Sequence, residues 1–241
     1  MESKTSLFRY MPIHRLIEVI ETGTLTFVKP IRWNDAFENY LSKVKFEVKG
    51  KIKHIDYLDN VFVSCWTTSS ESDLFWRAYC PDKNGVRILV QKDSFVKLIR
   101  EHINKRCFFY EWVEYHTYKD LKVEFENKKF LIRCYLSRDK SQLVKYLFKK
   151  RNEFSKEEEY RIIFDRNVWG KYNTDIEFFR ISIDPTTFIQ EIRFDPAMPD
   201  ELCNVYKSYF INKGFKRPQY TIKRSMLYKY KVQSRIVINS S

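Results

Sequence analysis

Glycine is scarce in this chain, with 5 in 241 residues, and proline is little commoner at 7. A chain so poor in both is neither a flexible linker nor a low-complexity segment. The five cysteines (Cys65, Cys80, Cys107, Cys134 and Cys203) are odd in number, scattered, and form no CxxC pair. That excludes a zinc ribbon and argues against a disulfide framework. The four histidines show no metal spacing, so no metal is expected. No stretch approaches the roughly 18 consecutive apolar residues of a membrane-spanning helix. The N-terminus, Met-Glu-Ser-Lys-Thr, lacks a basic region followed by an apolar run. A cytoplasmic chain without membrane contact is the expectation. Gly-rich phosphate loops, nucleophile elbows and HExxH motifs are also missing.

What is present is charge and aromatic bulk. Lys and Arg number 44 against 31 Asp and Glu, a formal net charge of +13. Such a field favours polyanionic partners, nucleic acid among them. Aromatic residues make up 17% of the chain, with 20 Phe, 16 Tyr and 5 Trp, so large rings carry much of the core.

Periodicity predicts strands over Leu7–Tyr10, Leu25–Val28, Val61–Thr68, Val86–Gln91, Cys107–Tyr115, Tyr160–Phe164, Phe178–Ile183 and Phe188–Phe194, with a last strand from Tyr220. Helices are expected after Pro12, over Trp33–Tyr40, over Leu74–Tyr79 and around Phe95–His102. Another is expected over Lys140–Arg151, its basic end suiting the macrodipole, and one from Pro199 to Gly214. In the last, Leu202, Val205, Tyr206, Tyr209 and Phe210 share a face. His102, on an apolar helix face, reads as a satisfied core residue. Many strands with few βαβ alternations indicate an α+β fold. A single domain over residues 1–236 with a short flexible tail at 237–241 is expected.

Glu157-Glu158-Glu159 stands directly before the strand Tyr160–Phe164. In strand geometry Glu157 and Glu159 point to one side and can bind hydroxyls or stabilise a cation. The alternative is a solvated acidic loop beside Lys149, Lys150 and Arg151. Ser64, Thr67 and Thr68 place hydroxyls on a strand whose neighbours are apolar, where each must find a backbone or ligand partner. Arg9, between aromatics in Leu7-Phe8-Arg9-Tyr10, suits a phosphate or carboxylate, or the solvent face.

Three segments in order, Phe8-Arg9-Tyr10…Trp33-Asn34-Asp35-Ala36-Phe37-Glu38, Phe62-Val63-Ser64-Cys65-Trp66…Leu74-Phe75-Trp76-Arg77-Ala78-Tyr79, and Glu157-Glu158-Glu159-Tyr160-Arg161, resemble the bacterial family labelled "domain of unknown function 2971". The layout in turn resembles the ADP-ribosyltransferase superfamily. An Arg or His on the first strand is followed there by a Ser/Thr strand and then by a Glu-x-Glu ahead of a later strand. The resemblance implies split mixed and antiparallel sheets with flanking helices, and NAD as substrate. Glu159 would stabilise an oxocarbenium-like ribose, Glu157 would handle the acceptor, and Arg9 would hold a diphosphate or ribose edge. Ser64, Thr67, Tyr10, Trp76 and Tyr79 would lie along the dinucleotide, the rings being equally suited to core packing. Cys65-Trp66 interrupts the family's Ser-Thr-Ser pattern. A toxin or antiphage effector modifying RNA or DNA, held by an antitoxin or regulatory protein, is the expected role. The other reading is a non-enzymatic basic module that binds RNA or DNA.

Overall fold

The computed structural model describes residues 5–102, 107–137, 140–168, 175–216 and 221–229. The expected tail at 237–241 and the start of the last strand at Tyr220 lie outside the described residues, as does the side chain of His102.

The chain opens with β1 (Ser6–Pro12), α1 (Ile13–Thr22) and β2 (Thr24–Val28). Pro12 ends the strand and caps the helix, and Gly23 at φ +59° turns the chain back. Next come α2 (Tyr40–Lys43), the hairpin strands β3 (Phe46–Val48) and β4 (Lys51–Lys53), and β5 (Val61–Thr67). Then follow α3 (Asp73–Tyr79), β6 (Gly85–Gln91), α4 (Lys92–His102), β7 (Phe108–Trp112) and β8 (Glu114–His116). Helices α5 (Tyr118–Phe125) and α6 (Lys128–Leu136) precede β9 (Lys149–Arg151) and β10 (Glu159–Asp165). The described chain closes with β11 (Phe178–Ser182), α7 (Pro185–Phe188), β12 (Glu191–Phe194), α8 (Asp200–Asn212) and β13 (Thr221–Arg224). The fold is α+β, and no helix among the described residues is long and apolar enough to cross a membrane.

The main sheet is split at β5. One edge of β5 pairs antiparallel with β10 along its whole length, from Val61–Asp165 to Thr67–Glu159. The other edge is shared: Val63 meets Val28 of β2, and Thr67 meets Phe8 of β1. From there β2 leads to β11, and β1 leads to β6, β12 and β13; β7 covers the far side of β10. Pairing in this sheet is antiparallel except for β12 with β13.

Helices and aromatic side chains cover both faces of the strand pair β5–β10, so neither strand alternates apolar with polar. Phe62, Trp66, Tyr160, Ile162 and Phe164 enter one core, and Val61, Val63 and Ile163 enter the other. Every residue of β10 is buried, including Glu159, Arg161 and Asp165. At spacings of two and four along the strand, these three charged residues point to one face.

Several local expectations are corrected. Residues 33–39 are turns rather than a helix, because the Asp35 carboxylate accepts from the Phe37 N–H at 2.9 Å and takes a donor a helix would need. Lys140–Phe148 is a 3₁₀ run, and the basic end beyond it is β9, paired parallel with β8. Ion pairs with distant carboxylates hold that strand, not a helix dipole. The expected strand over Cys107–Tyr115 is broken at Val113, whose N–H donates to the Glu159 carbonyl at 2.9 Å. The one over Phe188–Phe194 begins only at Glu191, because Asp184 caps the short α7. On α8 Tyr206, Tyr209 and Phe210 pack on the core as expected, joined by Cys203, while Leu202 and Val205 are exposed. The helix is apolar over more of its girth than the sheet covers. Helices α5 and α6 carry the N-caps Thr117 and Asn127, each accepting from a backbone N–H three residues on.

Candidate functional site

Thr67 is where β5 is paired to β1 on one side and to β10 on the other. Its hydroxyl donates to the Glu157 carbonyl at 2.5 Å and accepts from the Ser69 N–H at 3.0 Å. The Thr68 N–H donates to the Glu158 carbonyl at 3.2 Å. The end of β5 is thereby stapled to the approach of β10. Glu157 closes a 3₁₀ turn and Glu158 sits at φ +42°, a left-handed conformation that non-glycine residues rarely adopt. Strand geometry therefore begins only at Glu159. Glu157 reaches the same cluster as Glu159 through this turn, not through strand alternation.

Where β1 parts from β5 lies a cavity of about 180 Å³. Phe8, Arg9 and Tyr10 line it from β1, and Cys65, Trp66 and Thr67 from β5. Phe75 and Tyr79 come from α3, and Glu157 and Glu159 from the β10 approach. Of the residues singled out in the sequence, Arg9, Tyr10, Thr67, Tyr79, Glu157 and Glu159 meet here. Ser64 and Trp76 do not line the cavity. The Ser64 hydroxyl is buried behind it, accepting from Arg9 Nη1 at 3.3 Å and Trp66 Nε1 at 3.0 Å. Trp76 packs edge-on behind Tyr10 at 4.8 Å. Thr67's hydroxyl is spent on backbone partners, so the middle segment shapes the site more than it offers hydroxyls to it.

The acidic end is a buried ion cluster. Arg161 binds Glu159 at both carboxylate oxygens, Nε to Oε1 at 2.8 Å and Nη2 to Oε2 at 2.9 Å. Lys150 Nζ lies 3.1 Å from Glu159, 2.7 Å from Glu157 and 3.4 Å from Glu38. Arg161 also binds Glu38. Fully ionised, three carboxylates face two cations, leaving one negative charge. Burial opposes ionisation of Glu159, but Arg161 and Lys150 outweigh it and hold the carboxyl down to about 2. For Glu157 burial prevails, and its carboxyl is raised despite Lys150. Lys150 is held above its ordinary range, its burial outweighed by Glu159, Glu38 and Glu157. The Cys65 thiol neighbours Glu159 and is pushed up by burial and by that carboxylate.

The other end is cationic. Arg9 is half-buried, and burial lowers its guanidinium below the usual value. Its partners are the Ser64 hydroxyl and the Trp66 ring, 5.7 Å from the guanidinium carbon. Among the described residues no carboxylate pairs with it. The cavity thus carries an uncompensated cation at one end and a net negative cluster at the other.

Glu38, Lys150 and Arg161 were not picked out as site residues from sequence alone. Arg161 stands two residues beyond Glu159 on one strand, a readable i, i+2 pair. Lys150 lies in a basic run whose strand geometry the apolar spacing hid. Only the fold brings Glu38 in. Outside the cavity, His54, Asp56 and Asp59 form a surface group with ligand atoms within 4.8 Å of one another.

A family model described as "Protein of unknown function (DUF2971)" matches residues 75–162. That span runs from α3 into β10 and includes Tyr79, Glu157 and Glu159; it is the family whose motifs the sequence resembles. A search of curated proteins finds no match. Among solved structures the chain is similar to DarT of Thermus sp. 2.9 in complex with NAD+, at 10% identity and a TM-score of 0.41, covering 95% of this chain and 98% of that one. The same protein in complex with ADP-ribosylated ssDNA matches at 10% identity and a TM-score of 0.40, over 91% and 94% of the two chains. With carba-NAD+ the values are 9% identity, a TM-score of 0.40, and 95% and 100%.

Proposed function

We propose that this chain is an NAD-dependent ADP-ribosyltransferase acting on a nucleic acid. One observation carries the reading: Arg9 and Glu159, far apart in sequence and on different strands, line one cavity at the split of the sheet. An anion-binding group at one end and a net negative cluster at the other match a dinucleotide with a negative diphosphate and a positive pyridinium ribose. At about 180 Å³ the cavity is smaller than the roughly 300–1,000 Å³ of a site for a whole drug-sized ligand. It suits the nicotinamide riboside, with the adenosine end lying outside.

In the proposed step the nicotinamide–ribose C–N bond breaks and its electron pair leaves with nicotinamide. The positive charge passes from the pyridinium to the ribose. Glu159, ionised and held rigid by Arg161 and Lys150, faces that charge as it develops. The acceptor attacks the anomeric carbon and gives its proton to Glu157, the carboxyl whose burial favours the protonated form. Arg9 holds the diphosphate, and Tyr10 and Tyr79 flank the ring. The Cys65 thiol is a weak donor that a ribose hydroxyl can displace from Glu159. The net charge of +13 supports a nucleic-acid acceptor.

The test is to incubate the protein with NAD and DNA or RNA oligonucleotides and measure free nicotinamide. Glu159→Gln is expected to lower release by roughly 10²–10³-fold while the folded state persists. Release unchanged in that variant, or absent with every acceptor, overturns the reading. If the protein is a toxin or antiphage effector, wild-type expression slows growth and Glu159→Gln relieves it.

A further inference from the structure

The β3–β4 hairpin lies outside the main sheet and has both faces largely in water. It carries Lys49, Lys51 and Lys53, and the approach to it carries Lys43 and Lys45; all five are exposed. Among the described residues none of the five makes an ion pair or a side-chain hydrogen bond. Lysines elsewhere do find carboxylates: Lys149, Lys150 and Lys213 each pair at 2.7 Å. The hairpin offers one carboxylate, Glu47, against these five ammonium groups.

Its geometry departs from what stability alone would choose. The tip is a two-residue turn, Lys49 at φ +52° and Gly50 at φ +72°. Such turns favour Asn, Asp or Gly at the first position, because a larger side chain is strained there. Here the position holds a lysine whose charge no carboxylate meets. Val48 and Ile52 flank the tip and are 38% and 64% exposed. The ribbon is moored at its base, where Phe46 stacks on Tyr135 of α6 at 4.6 Å.

We propose that this hairpin is a docking element for the phosphate backbone of a nucleic acid. A twisted two-stranded ribbon is narrow enough to lie along a strand or enter a major groove. Register places Lys51 opposite Val48 and Lys53 opposite Phe46, so these two lysines lie on one face of the ribbon. Lysine without a counter-ion gains from phosphate chiefly by releasing the cations condensed on the polymer. The segment that supplies Glu38 to the ion cluster runs through α2 directly into this hairpin, tying the docking element to the cavity by a short stretch of chain. The inference rests on the nucleic-acid partner proposed above and not on chemistry at Glu159.

The experiment measures binding of short labelled single-stranded DNA, single-stranded RNA and duplex DNA to the full chain, between about 50 and 200 mM salt. Three proteins are compared: wild type, a variant with Lys43, Lys45, Lys49, Lys51 and Lys53 changed to Gln, and a control with Lys119, Lys128, Lys129, Lys207 and Lys216 changed to Gln. The control removes the same charge from exposed positions elsewhere. The hairpin variant is expected to bind about tenfold or more weakly. The slope of log K against log salt should shrink by about 0.7–0.9 for each phosphate that the variant no longer neutralises. The control is expected to change far less. Equal losses in both lysine variants reduce the effect to net charge and overturn the proposal, as does an unchanged hairpin variant. Loss of binding to phosphatidylserine vesicles with oligonucleotide binding intact overturns it in favour of a membrane partner. A double reversal, Lys51→Glu with Lys53→Glu, keeps the turn intact and should give the same ranking. Nicotinamide release without acceptor tests Glu159 separately, so the two ideas can fail independently.

Discussion

Arg161 grips Glu159 from two residues along the same strand, closing a bidentate pair with distances of 2.8 and 2.9 Å on β10. Both residues are buried, at 0% and 5% exposure, so neither charge has water to fall back on. Removing Arg161 leaves Glu159, Glu38 and Glu157 to share the single cation Lys150 in a buried setting, which costs about 3–5 kcal/mol. Arg161→Met is therefore expected to destabilise the fold by that amount in denaturant unfolding. Arg161→Lys should be only partly tolerated, because an ammonium cannot make the two-pronged contact. A destabilisation by Arg161→Met of less than about 1 kcal/mol, the range of an exposed ion pair, would show the pair to be dispensable.

The two cavity carboxylates should titrate with opposite effects on stability. Glu159 is held down to about 2, so its contribution is complete above the ordinary carboxylate range and fades as pH falls towards about 2. Glu157 is raised, so its contribution is present below that range and is lost as pH rises through its shifted value. Melting temperature against pH is expected to show Glu157→Gln gaining on wild type as pH rises, while transfer activity falls. A Glu157→Gln curve parallel to wild type would remove the basis for its role as the proton acceptor.

Arg9 should matter to substrate and little to folding. A charge-assisted hydrogen bond contributes roughly 1.5–3 kcal/mol, so Arg9→Gln is expected to raise the KM for NAD by about 10–150-fold with kcat much less affected. Its melting temperature should hold or rise, because the native guanidinium has no carboxylate partner among the described residues. Equal falls in kcat and kcat/KM with unchanged KM would place Arg9 in the reaction step instead.

Glu158 connects the two acids in a left-handed backbone conformation, at φ +42°. Glycine adopts it without strain, so Glu158→Gly is expected to stabilise the fold by up to about 1 kcal/mol. If the turn also presents Glu157 correctly, the added freedom should slow transfer. Stability lower than wild type in thermal unfolding would mean that the interactions of the Glu158 side chain outweigh the strain.

Gly85 begins β6 against the end of α3. A Cβ there would lie 2.1 Å from the Cys80 Sγ, a separation no packed pair of atoms sustains. Gly85→Ala should cost about 1–3 kcal/mol through overpacking and, by displacing α3, disturb Tyr79 at the cavity. Gly85→Ala combined with Cys80→Ala should recover most of the stability; no recovery would locate the constraint in the backbone.

By itself the sequence determined a good deal. Strand periodicity located β5, β6 and β10 to within a residue or two, because continuous apolar runs describe strands buried on both faces. The order Arg9, Ser64 with Thr67, then Glu157 and Glu159 was legible only as a resemblance to a family layout, and the excess of positive charge as a preference for polyanions. Tertiary structure decided the rest. Lys149–Arg151 form a strand because Glu124, Glu159 and Asp35 reach them from elsewhere, and no local periodicity records where a distant carboxylate will stand. Glu157 joins Glu159 through a left-handed turn that no pattern of apolar residues encodes. Ser64 and Trp76 stand behind the cavity, on Trp66 and Tyr10, and Glu38 joins the cluster through Lys150 and Arg161. Tertiary packing sets these placements, and sequence spacing carries no trace of them. Local propensity falls off within a few residues, whereas ion pairing and burial act between any segments the fold brings together.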